Sequence, residues 1–490
     1  MENTSHQHRA LLQRIARQAM IERGLLPDFS PRALEELARI SGTMPETKEA
    51  TRDLQHLLWC SIDNDDSRDL DQLTVAESVP DGTVRVLVAI ADVDALVGKG
   101  SAIDEHARQN TTSVYTAARI FPMLPEKLST NLTSLNYGSQ RQALVVEMIV
   151  GEDGALLRSD VYEALVRNRA KLAYDSVAAW LEGTGVLPPE ISAVRGLDDN
   201  LRLQDRLAQR MKNLRHEHGA LTLETVEAKI VFDDGSLKEL QAERKNRAKD
   251  IIEDFMIAAN GVTARFLSGK GFPSFRRIVR IPKRWDRIRE LALDHGYTLP
   301  EEPDAKSLES FLDKARNADP MRFPDLSLSV IKLLGPGEYA LEVPGSSPGG
   351  HFGLAVQDYS HSTAPNRRYP DLITQRLLKA AISGLQVPFE NSELTELAMH
   401  CTEKEDAAKK VERQVKKSAA AMLLEQRIGE QFDAIVTGAA DKGTWVRLTH
   451  PPIEGRLISG FEGTDVGHKI WVQLVHTDVE RGYIDFRKVS

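Results

Sequence analysis

The feature that most constrains this chain is a run of acidic residues between two apolar segments. Five aspartates fall within nine residues, at Asp63, Asp65, Asp66, Asp69 and Asp71. Like charges a few Å apart repel by roughly 4 kcal/mol per pair at an effective dielectric of about 20, so a divalent cation such as Mg²⁺ or Mn²⁺ is the natural compensation. A solvated acidic loop is the alternative. We favour the metal site because the flanking segments are strand-like, and because Asp69 and Asp71 share one face of an extended chain.

The start of the run also resembles a calcium loop of the EF-hand type. Such a loop needs glycine at its sixth position and a bidentate glutamate at its twelfth. Counted from Asp63, this chain has Arg68 and Thr74 at those positions. We therefore expect a magnesium or manganese site rather than a calcium loop.

The length and the periodicity predict an α+β chain in three parts. The 490 residues correspond to about three domains at roughly 150 residues each. Residues 1–53 have helical periodicity, which fits a helix-turn-helix or winged-helix unit but is more often found in plain packing helices. Residues 54–427 mix strands with amphipathic helices and predict one large α+β domain. Residues 428–490 contain five short strands separated by glycine and turn residues, which is typical of a small OB-fold β-barrel.

The composition excludes several classes of protein. No window approaches the roughly 18 apolar residues of a membrane helix, and the N-terminus has no apolar secretory segment. The only two cysteines, Cys60 and Cys401, are far apart in sequence, so we expect no disulfide and a reducing, cytoplasmic location. The net charge of -9 argues against a protein that coats nucleic acid by bulk positive charge.

Two basic segments stand out against this acidic average. Arg367 and Arg368 lie between tyrosines, and guanidinium groups bind phosphate oxygens while aromatic rings stack on bases. Between Arg265 and Arg289, nine basic residues face one aspartate, and the interleaved aromatic residues predict a nucleic-acid track. Arginines combined with a carboxylate metal site indicate phosphodiester hydrolysis.

Several motifs, in order along the chain, resemble those of the ribonuclease II (RNB) family of hydrolytic exoribonucleases. The segment from Asp63 to Asp71 is similar to the family's metal motif D-x5-D-x-D-D, and the segment from Thr112 to Pro125 resembles the motif around its active-site tyrosine. The stretch Ala364-Pro365-Asn366-Arg367-Arg368-Tyr369-Pro370-Asp371 is similar to the family's S-P-I-R-R-Y-P-D. The last sixty residues resemble the OB-fold RNA-binding domain of the S-one type that ends most members.

The resemblance implies roles for individual residues. It implies catalytic roles for Asp69, Asp71, Tyr115 and Arg367. It implies metal-binding roles for Asp63, Asp69, Asp71 and, at the fourth acidic position, Gln72. It implies RNA-binding roles for Tyr115, Tyr174, Glu253, Arg367, Arg368 and Glu412. Loss of Asp71 should stop the chemistry, whereas Tyr174 and Glu412 also fit plain packing and helix-surface positions.

The chain departs from the family pattern in three places. Gln72 replaces an acidic residue, and an amide oxygen is a poorer magnesium ligand, although such sites often use only one or two carboxylates plus substrate phosphates. Leu223 stands where the family has a phenylalanine that stacks on the last bases. The helical N-terminal unit stands where the family has two cold-shock domains of the OB type, so we expect readier access for structured RNA.

The sequence therefore predicts a magnesium-dependent hydrolytic 3′-to-5′ exoribonuclease, with Mn²⁺ as a second candidate metal. It would release nucleoside 5′-monophosphates from single-stranded RNA 3′ ends and act as a cytoplasmic monomer. One alternative is an RNA-binding regulator of the same fold in which Gln72 marks a weakened metal site. Another is a DNA-binding regulator that uses residues 1–53, although that unit lacks an obvious basic recognition helix.

Overall fold

The structure is a computed structural model that describes residues 2–41, 51–224, 227–233, 236–243, 245–320, 322–346, 349–440, 443–464 and 467–489. Its helices are α1 (Glu2–Glu22), α2 (Pro31–Arg39), α3 (Ala102–Asn110), α4 (Tyr174–Leu181), α5 (Pro189–Ser192), α6 (Leu197–Glu217), α7 (Arg247–Gly269), α8 (Trp285–Asp294), α9 (Ala305–Ala318), α10 (Phe323–Leu334), α11 (Tyr369–Ile382) and α12 (Asn391–Leu424). A π-helical turn covers Leu128–Leu132, and 3₁₀ turns cover Phe352–Leu354 and Glu425–Arg427.

The strands of the large central part are β1 (Arg52–Asp53), β2 (Cys60–Asp63), β3 (Gln72–Ser78), β4 (Val84–Ala91), β5 (Val114–Tyr115), β6 (Ile120–Phe121), β7 (Gln140–Val150), β8 (Leu156–Arg167), β9 (Ala170–Ala173), β10 (Glu227–Asp233), β11 (Ser236–Glu243), β12 (Ser274–Ile278) and β13 (Glu338–Glu342). The C-terminal strands are β14 (Gln431–Ala440), β15 (Gly443–Leu448), β16 (Glu454–Ser459), β17 (Lys469–Asp478) and β18 (Tyr483–Lys488).

A seven-stranded sheet in the order β1-β8-β7-β4-β3-β2-β9 forms the centre of the molecule. Its strands are antiparallel except at the two edges, where β1 runs parallel to β8 and β9 runs parallel to β2. Strand β4 is buried on both faces, which explains its continuous apolar sequence. Val86 of β4 packs in one cluster with Phe255 of α7, whereas Leu87 packs in another with Trp59. The sheet is thus the middle layer of the domain.

The N-terminal helices are packed onto this central domain. Ala16 and Met20 of α1 are fully buried and share a cluster with Val411 and Val415 of α12. The amphipathic periodicity of α1 is therefore used for packing on the long helix. Of the predicted unit 1–53, residues 42–50 lie outside the described part of the chain, and β1 already belongs to the central sheet.

The C-terminal strands close into a barrel in the order β14-β15-β16-β18-β17. Its core includes Phe432 and Phe486, and Leu424 at the end of α12 joins the same cluster. An ion pair between Arg447 Nη2 of β15 and Asp325 Oδ1 of α10, 2.6 Å apart, makes a second attachment of the barrel to the central part.

The predicted α+β class, with a helical N-terminal region and a C-terminal five-stranded barrel, is confirmed. The amphipathic helices expected within residues 54–427 are present, among them α6 and α7. Within the described ranges, none of the helices is both long and apolar enough to span a bilayer.

Candidate active site

The acidic run forms the connection between two neighbouring antiparallel strands. Asp63 is the last residue of β2, and Asp71 directly precedes β3. The backbone N–H of Ala91 donates to the carbonyl oxygen of Asp71 (2.9 Å), which continues the ladder to β4. The loop between the two aspartates is fixed on its other side, because Leu70 N donates to Ser134 Oγ (2.9 Å). Both carboxylates therefore lie at one end of the central sheet.

Asp71 is the point where the acidic run meets the arginine motif. Its Oδ1 accepts from the backbone N–H of Asn366 (2.9 Å), and its Oδ2 lies 3.2 Å from Arg367 Nε. The Asp71 side chain is only 2% exposed. Burial raises the pKa of Asp71 to about 7, opposed by the Arg367 charge and the Asn366 hydrogen bond. Residues 295 and 296 positions further along the sequence thus both contact the one buried carboxylate of Asp71.

Asp63 and Asp69 belong to the same electrostatic group. Asp63 Oδ1 accepts from Asn64 N (2.7 Å) and Ser67 Oγ (3.0 Å), while burial raises its pKa. The charge of Asp69 adds to the upward shift in the pKa of both Asp63 and Asp71. Asp69 is therefore close enough to both Asp63 and Asp71 for its charge to act on them.

Tyr115 lies over this group and is held from two sides. Its hydroxyl donates to Asp69 Oδ2 (3.0 Å), and its backbone N–H donates to Glu412 Oε1 of α12 (2.9 Å). The neighbouring Ser113 N donates to the carbonyl oxygen of Arg367 (2.9 Å), so β5 runs beside the arginine motif. Burial and then the Asp69 charge raise the pKa of Tyr115, which keeps the phenol protonated. The residue is still 41% exposed, which leaves ring surface for a base.

The remaining predicted residues differ in their relation to this centre. Tyr174 begins α4, and burial followed by the charge of Asp63 raises its pKa, so it borders the acidic group. Glu253 lies on α7 with its Oε2 3.2 Å from Lys245 Nζ, and no contact joins it to Asp71 among the described residues. Gln72 is buried at the start of β3. Arg368 points inward and pairs with Asp371 (2.7 Å).

The donor chemistry at this centre fits a hard divalent cation. Carboxylate oxygens are the preferred ligands of Mg²⁺, and a cation would offset the burial and the Asp69 charge that raise the pKa of Asp63 and Asp71. Within the described ranges, no three His, Cys, Asp or Glu side chains converge into a complete metal cage. The geometry therefore fits an ion held by one or two carboxylates together with substrate phosphate oxygens.

The predicted basic track between Arg265 and Arg289 is wrong as a continuous surface. Arg276 and Arg277 are buried, and they pair with Glu342 (2.8 Å) and Glu405 (2.6 Å). Other arginines of the segment also pair with acidic side chains. Linear charge counting failed because the carboxylates that neutralise the buried arginines come from distant segments.

The sequence predicted no role for Asn366, which contacts Asp71, or for Thr133, which contacts Asn366. The side chain of Thr133 contacts that of Asn366, whose backbone N–H holds Asp71. The one available signal was the asparagine in place of the isoleucine of the family motif. Leu223, noted as a departure, packs against an apolar cluster that contains Trp285 of α8 and Phe311 of α9.

Two family models match most of this chain. The RNB domain model matches residues 51–384, and the model of the RNase II-type exonuclease C-terminal S1 domain matches residues 430–489. Ribonuclease R of Aquifex aeolicus is 31% identical over 506 residues, covering 97% of this chain and 70% of that protein. Ribonuclease R of Escherichia coli is 31% identical over 448 residues, covering 88% of this chain and 54% of that protein.

The fold also agrees with a solved structure. Mycoplasma genitalium RNase R, in complex with ribose methylated single-stranded RNA, superposes with a TM-score of 0.86 at 22% identity, covering 97% of this chain and 77% of that chain. The chain therefore belongs to the RNB family of hydrolytic exoribonucleases and carries the family's C-terminal S1 domain. Within that family, it is similar to the proteins named ribonuclease R, although it spans only 54–70% of the length of the two curated relatives above.

Proposed function

We propose that this chain is a magnesium-dependent 3′-to-5′ exoribonuclease that removes nucleoside 5′-monophosphates from RNA one at a time. The observation that carries the proposal is the contact of the buried Asp71 with the half-exposed Arg367, with Asp63, Asp69 and Tyr115 around it. This arrangement supplies carboxylates for a cation, a guanidinium for a phosphate and an aromatic face for a base.

The residues proposed to hold Mg²⁺, or Mn²⁺ in its place, are Asp63, Asp69 and Asp71, of which one or two would bind the ion together with substrate phosphates; Gln72, the fourth candidate, follows Asp71 in the chain. When bound, the ion supplies Lewis-acid activation of a water molecule and stabilises charge on the phosphate. Arg367 keeps 43% of its side chain exposed while its Nε contacts Asp71, so the guanidinium can also bind the reacting phosphate. Asp71 in turn holds the guanidinium in place.

The other side chains fit roles in holding the 3′ end. Tyr115 offers its ring to a terminal base, and its hydroxyl stays bonded to Asp69. Tyr174 and Glu253 are the candidates for contact with the ribose 2′-hydroxyl, which distinguishes RNA from DNA. Glu412 acts by fixing the backbone of Tyr115. Arg368 is bonded to Asp371, and this bond supports the backbone beside Arg367. We propose that Arg368 contributes to RNA binding indirectly, by supporting Arg367.

We also propose single-stranded RNA 3′ ends as the main substrate, with structured RNA accepted where a 3′ end is free. The M. genitalium relative has also been solved in complex with double-stranded RNA, which supports testing duplex substrates. The division into residues 1–53, 54–427 and 428–490 and a monomeric state in the cytoplasm belong to the same proposal. Two free, buried cysteines fit a reducing location.

Neither alternative is favoured. A regulator with a weakened metal site would not need Asp71, Arg367 and Tyr115 kept in contact, yet these contacts are present. A DNA-binding unit needs a basic recognition helix, whereas α2 carries two arginines and two glutamates. The apolar face of α1 is used against α12.

The test is a 5′-labelled single-stranded RNA incubated with the protein and Mg²⁺, with EDTA, and with the variants Asp71→Asn and Asp81→Asn. Asp81 is the matched control because it lies in the exposed turn between β3 and β4. We expect a ladder that shortens from the 3′ end with wild type and with the control, and none with EDTA or with Asp71→Asn. RNA binding without shortening in Mg²⁺ or Mn²⁺ would instead support the regulator.

A further inference from the structure

Asn366 is a polar residue at a buried position where the family motif has isoleucine. It is 1% exposed, and its backbone N–H donates to Asp71 Oδ1 (2.9 Å). That backbone bond would be available to any residue at this position. The amide side chain therefore needs a separate explanation.

The partner of this side chain is Thr133, which follows the π-helical turn. Thr133 Oγ1 lies 2.5 Å from Asn366 Oδ1 and 2.9 Å from the carbonyl oxygen of Leu128. A hydroxyl has one hydrogen, so it can donate to only one of these oxygens. If the amide is turned by 180°, its nitrogen donates to the hydroxyl and the hydroxyl donates to Leu128. In both orientations the two side chains stay bonded.

This contact is not explained by stability. Asn366 Nδ2 has no hydrogen-bond partner in the described part of the chain, and turning the amide would leave its oxygen in that position instead. An unpaired buried polar atom costs about 1–3 kcal/mol, which isoleucine would avoid. A polar pair kept at such a cost next to a reacting group is expected to serve that group.

The segment that carries Thr133 holds Asp71 from a second direction. The next residue, Ser134, accepts from Leu70 N at its Oγ (2.9 Å), and Leu70 directly precedes Asp71. Leu135 N donates to the carbonyl oxygen of Leu70 (3.0 Å). One short segment therefore fixes the backbone of Leu70, directly before Asp71, and contacts Asn366, whose backbone N–H holds the Asp71 carboxylate.

We propose that Thr133 and Asn366 form a positioning pair that sets the orientation of the Asp71 carboxylate for phosphodiester hydrolysis. The inference rests on the proposed function, because it assigns the pair a purpose in that reaction. The pair touches neither RNA nor the terminal base and acts only through Asp71.

The test compares Thr133→Val, Thr133→Ser and Asn366→Ile with wild type. Valine keeps the shape of threonine but removes the hydroxyl, whereas serine keeps the hydroxyl. Thr130→Val is the matched control, because the Thr130 hydroxyl donates to the backbone oxygen of Glu126 in the same turn (2.8 Å) and, in the described part of the chain, to no residue of the site. For each protein, the experiment measures kcat and KM on single-stranded RNA. It also measures the RNA Kd and the melting temperature, both in EDTA.

We expect Thr133→Val and Asn366→Ile to lower kcat by about tenfold, since small misplacements of a catalytic group are costly. KM and the RNA Kd in EDTA should stay within about twofold of wild type, because only Asp71 is affected. Thr133→Ser and Thr130→Val should retain wild-type kcat. The melting temperature of Asn366→Ile should equal or exceed that of wild type, because the unpaired amide atom is gone.

Two results would overturn the inference while leaving the proposed function intact. One is a wild-type kcat in Thr133→Val. The other is a loss of kcat in Asn366→Ile that is matched by a lower melting temperature, since the pair would then be merely structural. Failure of wild-type protein to shorten RNA would instead overturn the proposed function itself.

Discussion

Arg367 is the residue whose replacement should most sharply separate binding from chemistry. We predict that Arg367→Lys lowers kcat by about 10²–10³-fold, because a point charge cannot contact Asp71 and a phosphate in the same fixed geometry. The RNA affinity in EDTA should fall much less. Arg158→Lys, an exposed change on β8, is the control and should have no effect. Single-turnover kinetics measure the difference, and equal kcat values for the two variants would contradict the assignment.

Two functions are proposed for Tyr115, and two substitutions can separate them. Tyr115→Phe removes the bond to Asp69 but keeps the ring, so kcat should fall by severalfold while KM is retained. Tyr115→Ala also removes the stacking surface, which is worth about 1–3 kcal/mol per base, so KM should rise by about tenfold or more. Gel assays of a short RNA series measure both. A similar KM in the two variants would mean that the ring does not contact the RNA.

His106 makes the stability of the fold depend on pH. It is 5% exposed and lies against the Phe29 ring, and burial lowers its pKa from 6.5 to about 4. Below pH 6.5, His106 is protonated in the unfolded chain but stays neutral in the folded chain. The free energy of unfolding therefore decreases as the pH falls towards 4. Between pH 7.5 and pH 5 this residue should account for a loss of about 2 kcal/mol.

Urea unfolding of His106→Gln at both pH values checks this prediction. His106→Gln should lose less free energy of unfolding between pH 7.5 and pH 5 than wild type does. His56→Gln, at an exposed position, should not differ from wild type. Identical pH dependence in wild type and His106→Gln would refute the explanation.

At the scale of residues, the sequence predicted those members of the site that carry strong chemistry. Asp71 and Arg367 belong to motifs rich in charged side chains. Such side chains are stable in a fold mainly when they pair with an opposite charge or bind a ligand. The inward direction of Arg368 and the contact of Thr133 with Asn366 could not be predicted, because both depend on residues brought close only by the tertiary fold. The same limit explains the error over the segment from Arg265 to Arg289.

At the scale of elements, α1 should behave as part of the central domain. Met20 is fully buried between α1 and α12, so Met20→Ala should lower the free energy of unfolding by about 2–5 kcal/mol. Ile21→Ala, at a neighbouring position that is 46% exposed, should change it by less than about 0.5 kcal/mol. Chemical unfolding followed by far-UV circular dichroism checks both values. A separate early transition confined to α1 would show that the helix is independent.

Elements with a strong periodic pattern were predictable, and short exposed ones were not. The apolar sequence of β4 and the amphipathic patterns of α6 and α7 correspond to buried faces. Strand β1 consists of two residues, and both are exposed. Its position beside β8 therefore comes from backbone pairing and not from an apolar pattern. Likewise, helical periodicity over residues 1–53 could not reveal which surface α1 would cover.

At the scale of the whole molecule, the pair of Asp325 and Arg447 fixes the barrel to α10. Both side chains are largely buried, at 8% and 20% exposure, and burial raises the pKa of Asp325 against the effect of Arg447. Arg447→Ala leaves a buried carboxylate without its partner and should cost about 3 kcal/mol. Asp325→Ala combined with Arg447→Ala should cost less than the sum of the two single changes. A urea-unfolding double-mutant cycle measures this coupling, and strict additivity would show that the contact contributes nothing.

The long separation between Asp71 and Arg367 also affects when during its synthesis the protein can cut RNA. The two residues are 296 positions apart, and Tyr115 needs Glu412 on a still later helix. A chain emerging from the ribosome folds from its N-terminus, so its acidic loop is present long before its arginine. The proposed site therefore stays incomplete until Arg367, and after it α12 with Glu412, have been synthesised.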